Sequence, residues 1–152
     1  MQDAIAYQYL RTPSAGSGQR VGLFGGSFNP PHEGHVHVSE QALRRLKLDW
    51  IWWLVTPGNP LKDHDELAPL PERLKLCEDI TPDPRMKITA VEANLPTRYT
   101  ADTLSHIVQR NPDVKFVWLM GADNLGQFHQ WERWHDIANL IPFAVIDRPG
   151  ST

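Results

Sequence analysis

Cysteine is nearly missing from this chain of 152 residues, since Cys77 is the single one, and an internal disulfide is therefore excluded. Such sparse use of cysteine is typical of a reducing compartment, so we expect a cytoplasmic protein. Cys77 falls within a helical pattern of apolar residues, which favours a buried, inert thiol over a nucleophile. Residues 1–10 have neither the basic start nor the apolar stretch of a signal peptide. No apolar run approaches the roughly 20 residues of a membrane span, so no membrane contact is expected.

An excess of positive charge is also lacking. Fifteen Lys and Arg residues stand against 18 Asp and Glu residues, for a formal net charge of −3. Proteins that bind nucleic acid or anionic lipid broadly need a basic face, so both partners are disfavoured. The hydrophobic share of 41% is that of an ordinary globule, and the length suits one domain. The oligomeric state stays open, and a homo-oligomer is compatible with this composition.

The chain divides into a short arm and one domain. Residues 1–20 end in PSAGSG, a flexible composition with little to pack, and are predicted to be a disordered arm. Residues 21–152 alternate between short apolar runs and helical patterns. Strands are predicted at 21–24, 49–56, 86–91, 114–120 and 143–146, and helices at 35–47, 71–80, 100–110 and 131–140, with Thr100 as a helix N-cap.

This alternation predicts an α/β fold, with a doubly wound, mainly parallel sheet of five strands in the order 3-2-1-4-5. In such sheets, ligands bind beyond the carboxyl ends of the strands, at the point where the strand order reverses. Polar and glycine residues follow the first, second and fourth predicted strands. We therefore expect a binding site at that edge of the sheet.

The most informative of these turns is residues 25–35, with the sequence GGSFNPPHEGH. Gly25 and Gly26 allow a ligand to approach the backbone closely, and a helix start supplies N–H groups and partial positive charge. His32 and His35 add donors at the same turn. A phosphate group is the ligand that this combination favours.

Other interpretations of the turn are open from the residues themselves. A Gly-Gly pair alone is common in tight turns, and neither the Gly-Lys-Ser/Thr ending of a P-loop nor the GxGxxG spacing is present. His32, His35 and His37 could form a metal site, but no cysteine lies near them, and His35 and His37 point to different sides of a helix. A chance cluster of surface histidines is the remaining alternative.

Further candidates follow the other strands. Lys62 could bring a full positive charge to phosphate oxygens, although a solvated lysine is the common case. Asp123, after Gly121, could accept a bond from a ribose hydroxyl or help to hold Mg²⁺, or could be a turn residue. Trp131 and Trp134 share one helix face and are either core residues or a platform for a ligand ring.

Together these residues carry a resemblance to a known family. The segment 25–35 is similar to the HxGH signature of the nucleotidyltransferase superfamily, and more closely to the bacterial nicotinate-nucleotide adenylyltransferases. Five further matches follow in order: residues 57–62 (PGNPLK), 99–104 (YTADTL), 121–125 (GADNL), 128–131 (FHQW) and 148–150 (RPG). The resemblance spans residues 21–150 and implies a Rossmann-like nucleotidyltransferase fold.

The resemblance implies adenylyl transfer from ATP to nicotinate mononucleotide, giving deamido-NAD and pyrophosphate in NAD biosynthesis, with Mg²⁺ accompanying ATP. It assigns His35, His32 and Lys62 to the chemistry. It places Thr100 and Trp131 in the nicotinate pocket, through a main-chain amide and through ring stacking respectively. The residues implied to face ATP are Gly25, Gly26, Ser27, Phe28, His32, His35, Asp123 and Arg148, and those implied to contact the mononucleotide are Asn59, Lys62, Thr100 and Trp131.

The chain departs from the family at two places. Asn29 stands where the family usually has Asp, and nothing matches the ISSTxIR motif that family members carry in a C-terminal part, so we expect a domain that is incomplete at its C-terminus. The alternatives are a related transferase that acts on phosphopantetheine, a cytidylyl acceptor or nicotinamide mononucleotide, a nucleotide-binding module without turnover, and a histidine-based metal protein.

Overall fold

A computed structural model of the chain describes residues 5–57, 67–96, 99–122 and 134–147. The strands are β1 (Arg20–Gly26), β2 (Trp50–Val55), β3 (Met86–Thr89), β4 (Lys115–Gly121) and β5 (Phe143–Ile146). The α-helices are α1 (Glu33–Arg45), α2 (Leu70–Ile80), α3 (Thr100–Arg110) and α4 (Trp134–Leu140). Two 3₁₀ helices, Tyr7–Leu10 and Val91–Asn94, were not predicted.

The five strands form one parallel sheet in the order β3-β2-β1-β4-β5, as predicted. Parallel strands need crossover connections, which the helices provide on both faces of the sheet. The chain winds outward from β1 in one direction and from β4 in the other. These two neighbours therefore form the point at which the strand order reverses.

Alternating side chains on the strands build two cores, one on each face of the sheet. Phe24 of β1 belongs to the core that α1 and α2 cover, and Leu23 belongs to the core under α3 and α4. Trp53 and Trp52 of β2 divide in the same way, and neither is exposed. Cys77 is buried on α2, as predicted, and burial raises the pKa of its thiol to about 12.

The arm differs from its prediction over residues 5–20. The carbonyl of Tyr9 accepts a hydrogen bond from the N–H of Ala90 at 2.8 Å, and the hydroxyl of Thr89 lies 3.1 Å from the carbonyl of Arg11. The segment thus lies along β3 and the 3₁₀ helix that follows it. The contacts are mainly from backbone groups to residues about 80 positions away in the chain, so composition alone does not reveal them.

Candidate active site

The turn after β1 is built on aromatic packing. Phe28 adopts a left-handed φ of 50°, which is uncommon for a residue with a side chain. Its ring is 1% exposed and stacks on Trp53, with ring centroids 4.7 Å apart and planes 13° apart. Phe28 therefore borders the cleft described below while its ring supports the turn from within the core.

His32 and His35 lock each other at the start of α1. His32 is the N-cap, and its Nδ1 accepts a hydrogen bond from the N–H of Gly34 at 3.0 Å. The Nδ1 of His35 accepts one from the N–H of His32, also at 3.0 Å. Since each Nδ1 is an acceptor, each neutral ring carries its proton on Nε2. The two rings lie with their centroids 4.0 Å apart, and both residues line one cleft.

A buried chain of hydrogen bonds supports His35 from below. The indole N–H of Trp53 donates to the hydroxyl of Ser39 at 2.8 Å, and that hydroxyl donates to the backbone carbonyl of His35 at 2.9 Å. Ser39 is fully buried. The ring of His35 also packs against Phe28, with ring centroids 4.6 Å apart, so His35 is held through both its backbone and its ring.

Gly25 is required by a close contact within the protein. A Cβ atom at this position would lie 2.6 Å from the ring of Trp118 on β4. The sequence alone suggested that the glycine makes room for a ligand, and the structure adds this packing reason. Trp118 is 2% exposed and forms part of the floor of the cleft.

These residues surround a cleft of about 560 Å³ beyond the carboxyl ends of β1 and β2. Helix α1 begins on one face of the sheet and α3 on the other, and residues at the start of both helices line the cleft, among them His32, His35, Thr100 and Thr103. The partial positive charge of a helix N-terminus favours an anion. Two helix starts at one cleft are suited to a ligand, or a pair of ligands, with more than one anionic group.

One acidic side chain in the cleft was not predicted. Glu92, in the second 3₁₀ helix, accepts a hydrogen bond from the hydroxyl of Thr103 at 2.9 Å. Burial raises the pKa of the Glu92 carboxyl, and the bond from Thr103 opposes this only in part. Glu92 therefore keeps its proton to a higher pH than an ordinary glutamate does. Nothing in its local sequence distinguishes it from a surface acid.

A second unpredicted residue lies behind the turn. Arg73 on α2 is 1% exposed, and its guanidinium donates to the backbone carbonyls of Ser27, Thr56 and Ala68. One signal was available, because Arg73 lies on the same helix face as Leu70 and Cys77. An arginine on an apolar face is buried only when its donors are satisfied.

The structure brings together one part of the predicted site. The residues that line the cleft are Gly25, Gly26, Ser27, Phe28, His32, His35 and Thr100. Thr100 is the first residue of α3, and the predicted N-cap position falls to Tyr99 instead, so that prediction was wrong by one residue. Asn59, Lys62, Asp123, Trp131 and Arg148 lie outside the described residues.

The histidine cluster does not extend to His37. That side chain borders a separate groove with Glu40 and Arg44, because a step of two residues on a helix turns to another face. Within the described ranges, no group of three His, Cys, Asp or Glu side chains is arranged to hold a metal ion. The described part of the chain has no helix long and apolar enough to cross a membrane.

Several known proteins are similar to this chain in sequence or in fold. A cytidylyltransferase-like family model matches residues 23–151. A probable nicotinate-nucleotide adenylyltransferase of Brucella abortus (strain 2308) is 67% identical over 132 residues, which are 87% of this chain and 68% of the relative. A protein of the same name from Mesorhizobium japonicum is 62% identical over 140 residues, 92% of this chain and 72% of the relative.

The fold also matches a solved structure. Plasmodium falciparum nicotinic acid mononucleotide adenylyltransferase, complexed with NaAD, superposes with a TM-score of 0.75 at 18% identity, covering 88% of this chain and 67% of that one. Identity this low bears on the fold alone, whereas the family match and the two bacterial relatives bear on descent. The chain therefore belongs to the cytidylyltransferase-like family and, among its members, to the nicotinate-nucleotide adenylyltransferases.

Proposed function

We propose that the chain transfers the adenylyl group of ATP to nicotinate mononucleotide, giving deamido-NAD and pyrophosphate, as a step of NAD biosynthesis. The observation that carries the proposal is the cleft at which two helix starts and the His32–His35 pair meet, in a chain 67% identical to a protein of that name. We also propose a cytoplasmic location, where ATP is plentiful and Cys77 stays reduced.

The proposed reaction needs no nucleophilic side chain. A phosphate oxygen of the mononucleotide attacks the α-phosphorus of ATP, a new P–O bond forms, and the bond to the bridging oxygen breaks as pyrophosphate leaves with the electron pair. Catalysis then consists of aligning two anions and stabilising the charge that develops on the transferred group. In this scheme the Nε2–H groups of His32 and His35 donate to phosphate oxygens, and Lys62 adds a positive charge.

The ring of the acceptor has a proposed partner at the start of α3. The backbone N–H of Thr100, the first residue of that helix, has no acceptor within the helix. A carboxylate on the pyridine ring would accept a charge-assisted bond from it, which an amide would not match. Trp131 is proposed to stack on the ring, Asn59 to approach the mononucleotide phosphate, and Asp123 and Arg148 to approach ATP.

Mg²⁺ fits this site only in company with ATP. Glu92 is the one acidic side chain among the described residues that line the cleft, and no group of three His, Cys, Asp or Glu side chains in the described ranges is arranged to hold a metal ion. Mg²⁺ commonly binds through substrate phosphates and water. When bound there, it would neutralise charge on the leaving pyrophosphate. The residues of the chain would align the phosphates that carry it.

The test is incubation of the chain with ATP, Mg²⁺ and a panel of phosphate acceptors, followed by mass spectrometry. The panel contains nicotinate mononucleotide, nicotinamide mononucleotide, phosphopantetheine and a cytidylyl acceptor with CTP. We expect the dinucleotide from nicotinate mononucleotide, with a higher kcat/KM than for its amide. Equal kcat/KM values for the two mononucleotides would contradict the assignment of the acceptor.

A further inference from the structure

Arg73 joins three backbone positions through one side chain. Its Nη1 donates to the carbonyls of Ser27 and Thr56, each at 2.7 Å, and its Nε donates to the carbonyl of Ala68 at 2.8 Å. Ser27 belongs to the turn after β1 that lines the cleft. Thr56 and Ala68 stand at the two ends of the segment that carries Asn59 and Lys62.

A second contact reinforces the same junction. The side-chain oxygen of Asn29 accepts a hydrogen bond from the N–H of Ala68 at 3.0 Å, while the carbonyl of Ala68 accepts from Arg73. Both backbone polar groups of Ala68 are thus hydrogen-bonded, the N–H to Asn29 in the turn and the carbonyl to Arg73. Asn29, which differs from the Asp usual in the family, therefore has a defined structural partner.

The charge of Arg73 is unusual for its surroundings. The residue is 1% exposed, and burial lowers the pKa of the guanidinium, yet an arginine keeps its proton in proteins. Its bonds within the described ranges go to neutral carbonyl groups and not to a carboxylate. A buried cation stabilised in this way leaves a positive field at the turn, where an anionic ligand is proposed.

We infer that Arg73 is a positioning residue of the site, which holds the turn at Ser27 in register with both ends of the segment between Thr56 and Ala68. The inference rests on the proposed function, because these two segments would contact ATP and the mononucleotide respectively. A planar guanidinium donates in several fixed directions, whereas a lysine ammonium is a single point. One side chain of this shape can therefore fix the turn at Ser27 relative to both Thr56 and Ala68.

The test uses two variants of Arg73 and one matched control. Arg73→Met removes the charge and the hydrogen-bond donors. Arg73→Lys keeps the charge but lacks the planar guanidinium with its several fixed N–H donors. Lys75→Met removes a cation from the same helix at an exposed position, where it lies 3.9 Å from Asp79. Each protein is checked for folding. Calorimetry then gives the fraction of molecules that bind ATP, and these are counted as competent.

We expect both Arg73 variants to lose about tenfold or more in kcat per competent molecule, since small misplacements of reacting groups cost rates of that order or larger. ATP affinity should also fall, KM for both substrates should rise, and hydrogen exchange should quicken in the peptide covering residues 24–31. The Lys75→Met control should stay within about twofold of the wild type, as surface changes usually do.

A purely structural role would lower the melting temperature and leave kcat, both KM values and ATP affinity per competent molecule unchanged, and this result would overturn the inference. Wild-type activity in Arg73→Lys would also overturn the inference, because the planar guanidinium would then be unnecessary. If Arg73→Met does not fold, Arg73→Lys carries the test. A wild-type chain that binds ATP but uses no nicotinate mononucleotide would contradict the proposed function alone, and ATP affinity would still decide the role of Arg73.

Discussion

The N–H of His32 donates to the Nδ1 of His35 at 3.0 Å, so the residue that caps α1 also orients the ring three positions later. The bond satisfies a backbone donor that a helix start would otherwise leave unpaired. It also fixes which ring nitrogen carries the proton, and so which one can donate to a ligand. The stability of the helix start and the chemistry proposed for the cleft thus depend on the same side chain.

Replacing His35 should separate these two roles. We expect His35→Ala to lower kcat by about 10²-fold or more, the scale of losing one transition-state donor. His35→Asn retains an acceptor near the position of Nδ1 but has nothing at Nε2, so it should lose similar activity with a smaller loss of stability. Steady-state kinetics and urea unfolding measure the two effects, and His37→Ala is the control on the same helix. A change below threefold in His35→Ala would remove this residue from the chemistry.

The close approach of Gly25 to Trp118 predicts an overpacking effect. In Gly25→Ala the new Cβ would lie 2.6 Å from the indole ring, whereas in Gly26→Ala its nearest neighbour would be Phe28 at 3.4 Å. Overpacking of a core typically costs roughly 1–3 kcal/mol. We expect Gly25→Ala to lower the free energy of unfolding by such an amount and Gly26→Ala to lower it less.

A double-mutant cycle locates the cause of that cost. Trp118→Phe shortens the ring system that the new Cβ would meet, so we expect Gly25→Ala to be less destabilising in the Trp118→Phe background than in the wild type. Urea unfolding of the four proteins gives the coupling energy. Equal costs in both backgrounds would show that the contact with Trp118 is not the reason for glycine at this position.

The sequence predicts those parts of the structure that depend on patterns among residues close together in the chain. Alternating apolar runs and helical patterns led to the strand order, which is confirmed, and the spacing of His32 and His35 led to a pair at a helix start. Arg73 was missed because its partner Ser27 is 46 residues away in the chain. Thr89 was missed for the same reason, since the carbonyls it meets belong to the arm.

Glu92 should make stability depend on pH in a defined direction. Burial raises its pKa in the folded chain, so folding favours the protonated carboxyl. The contribution is fully present below the ordinary pKa of a glutamate and is lost as the pH rises through the raised value. Glu92→Gln keeps an acceptor for Thr103, so its free energy of unfolding should improve relative to the wild type as the pH rises from 4 toward 8.

Denaturant unfolding at several pH values measures this difference. Glu72→Gln, at an exposed position on α2, is the control for removing one negative charge. Subtracting the wild-type values removes the contributions of other titrating groups that the variants share, Asp83 among them. A Glu92→Gln difference that shrinks as the pH rises would contradict the predicted direction.

Thr89 is expected to hold the arm on the sheet. Its hydroxyl is fully buried, lies 3.2 Å from the carbonyl of Tyr9 and 3.1 Å from that of Arg11, and accepts a bond from the N–H of Val91. Thr89→Val keeps the shape and removes the hydroxyl, which leaves buried polar groups unpaired at a cost of about 1–3 kcal/mol. Thr89→Ser keeps the hydroxyl and is the matched control. Because Arg11 is exposed, trypsin cleavage after it should be faster in Thr89→Val than in Thr89→Ser, and equal rates would show that this hydroxyl does not secure the arm.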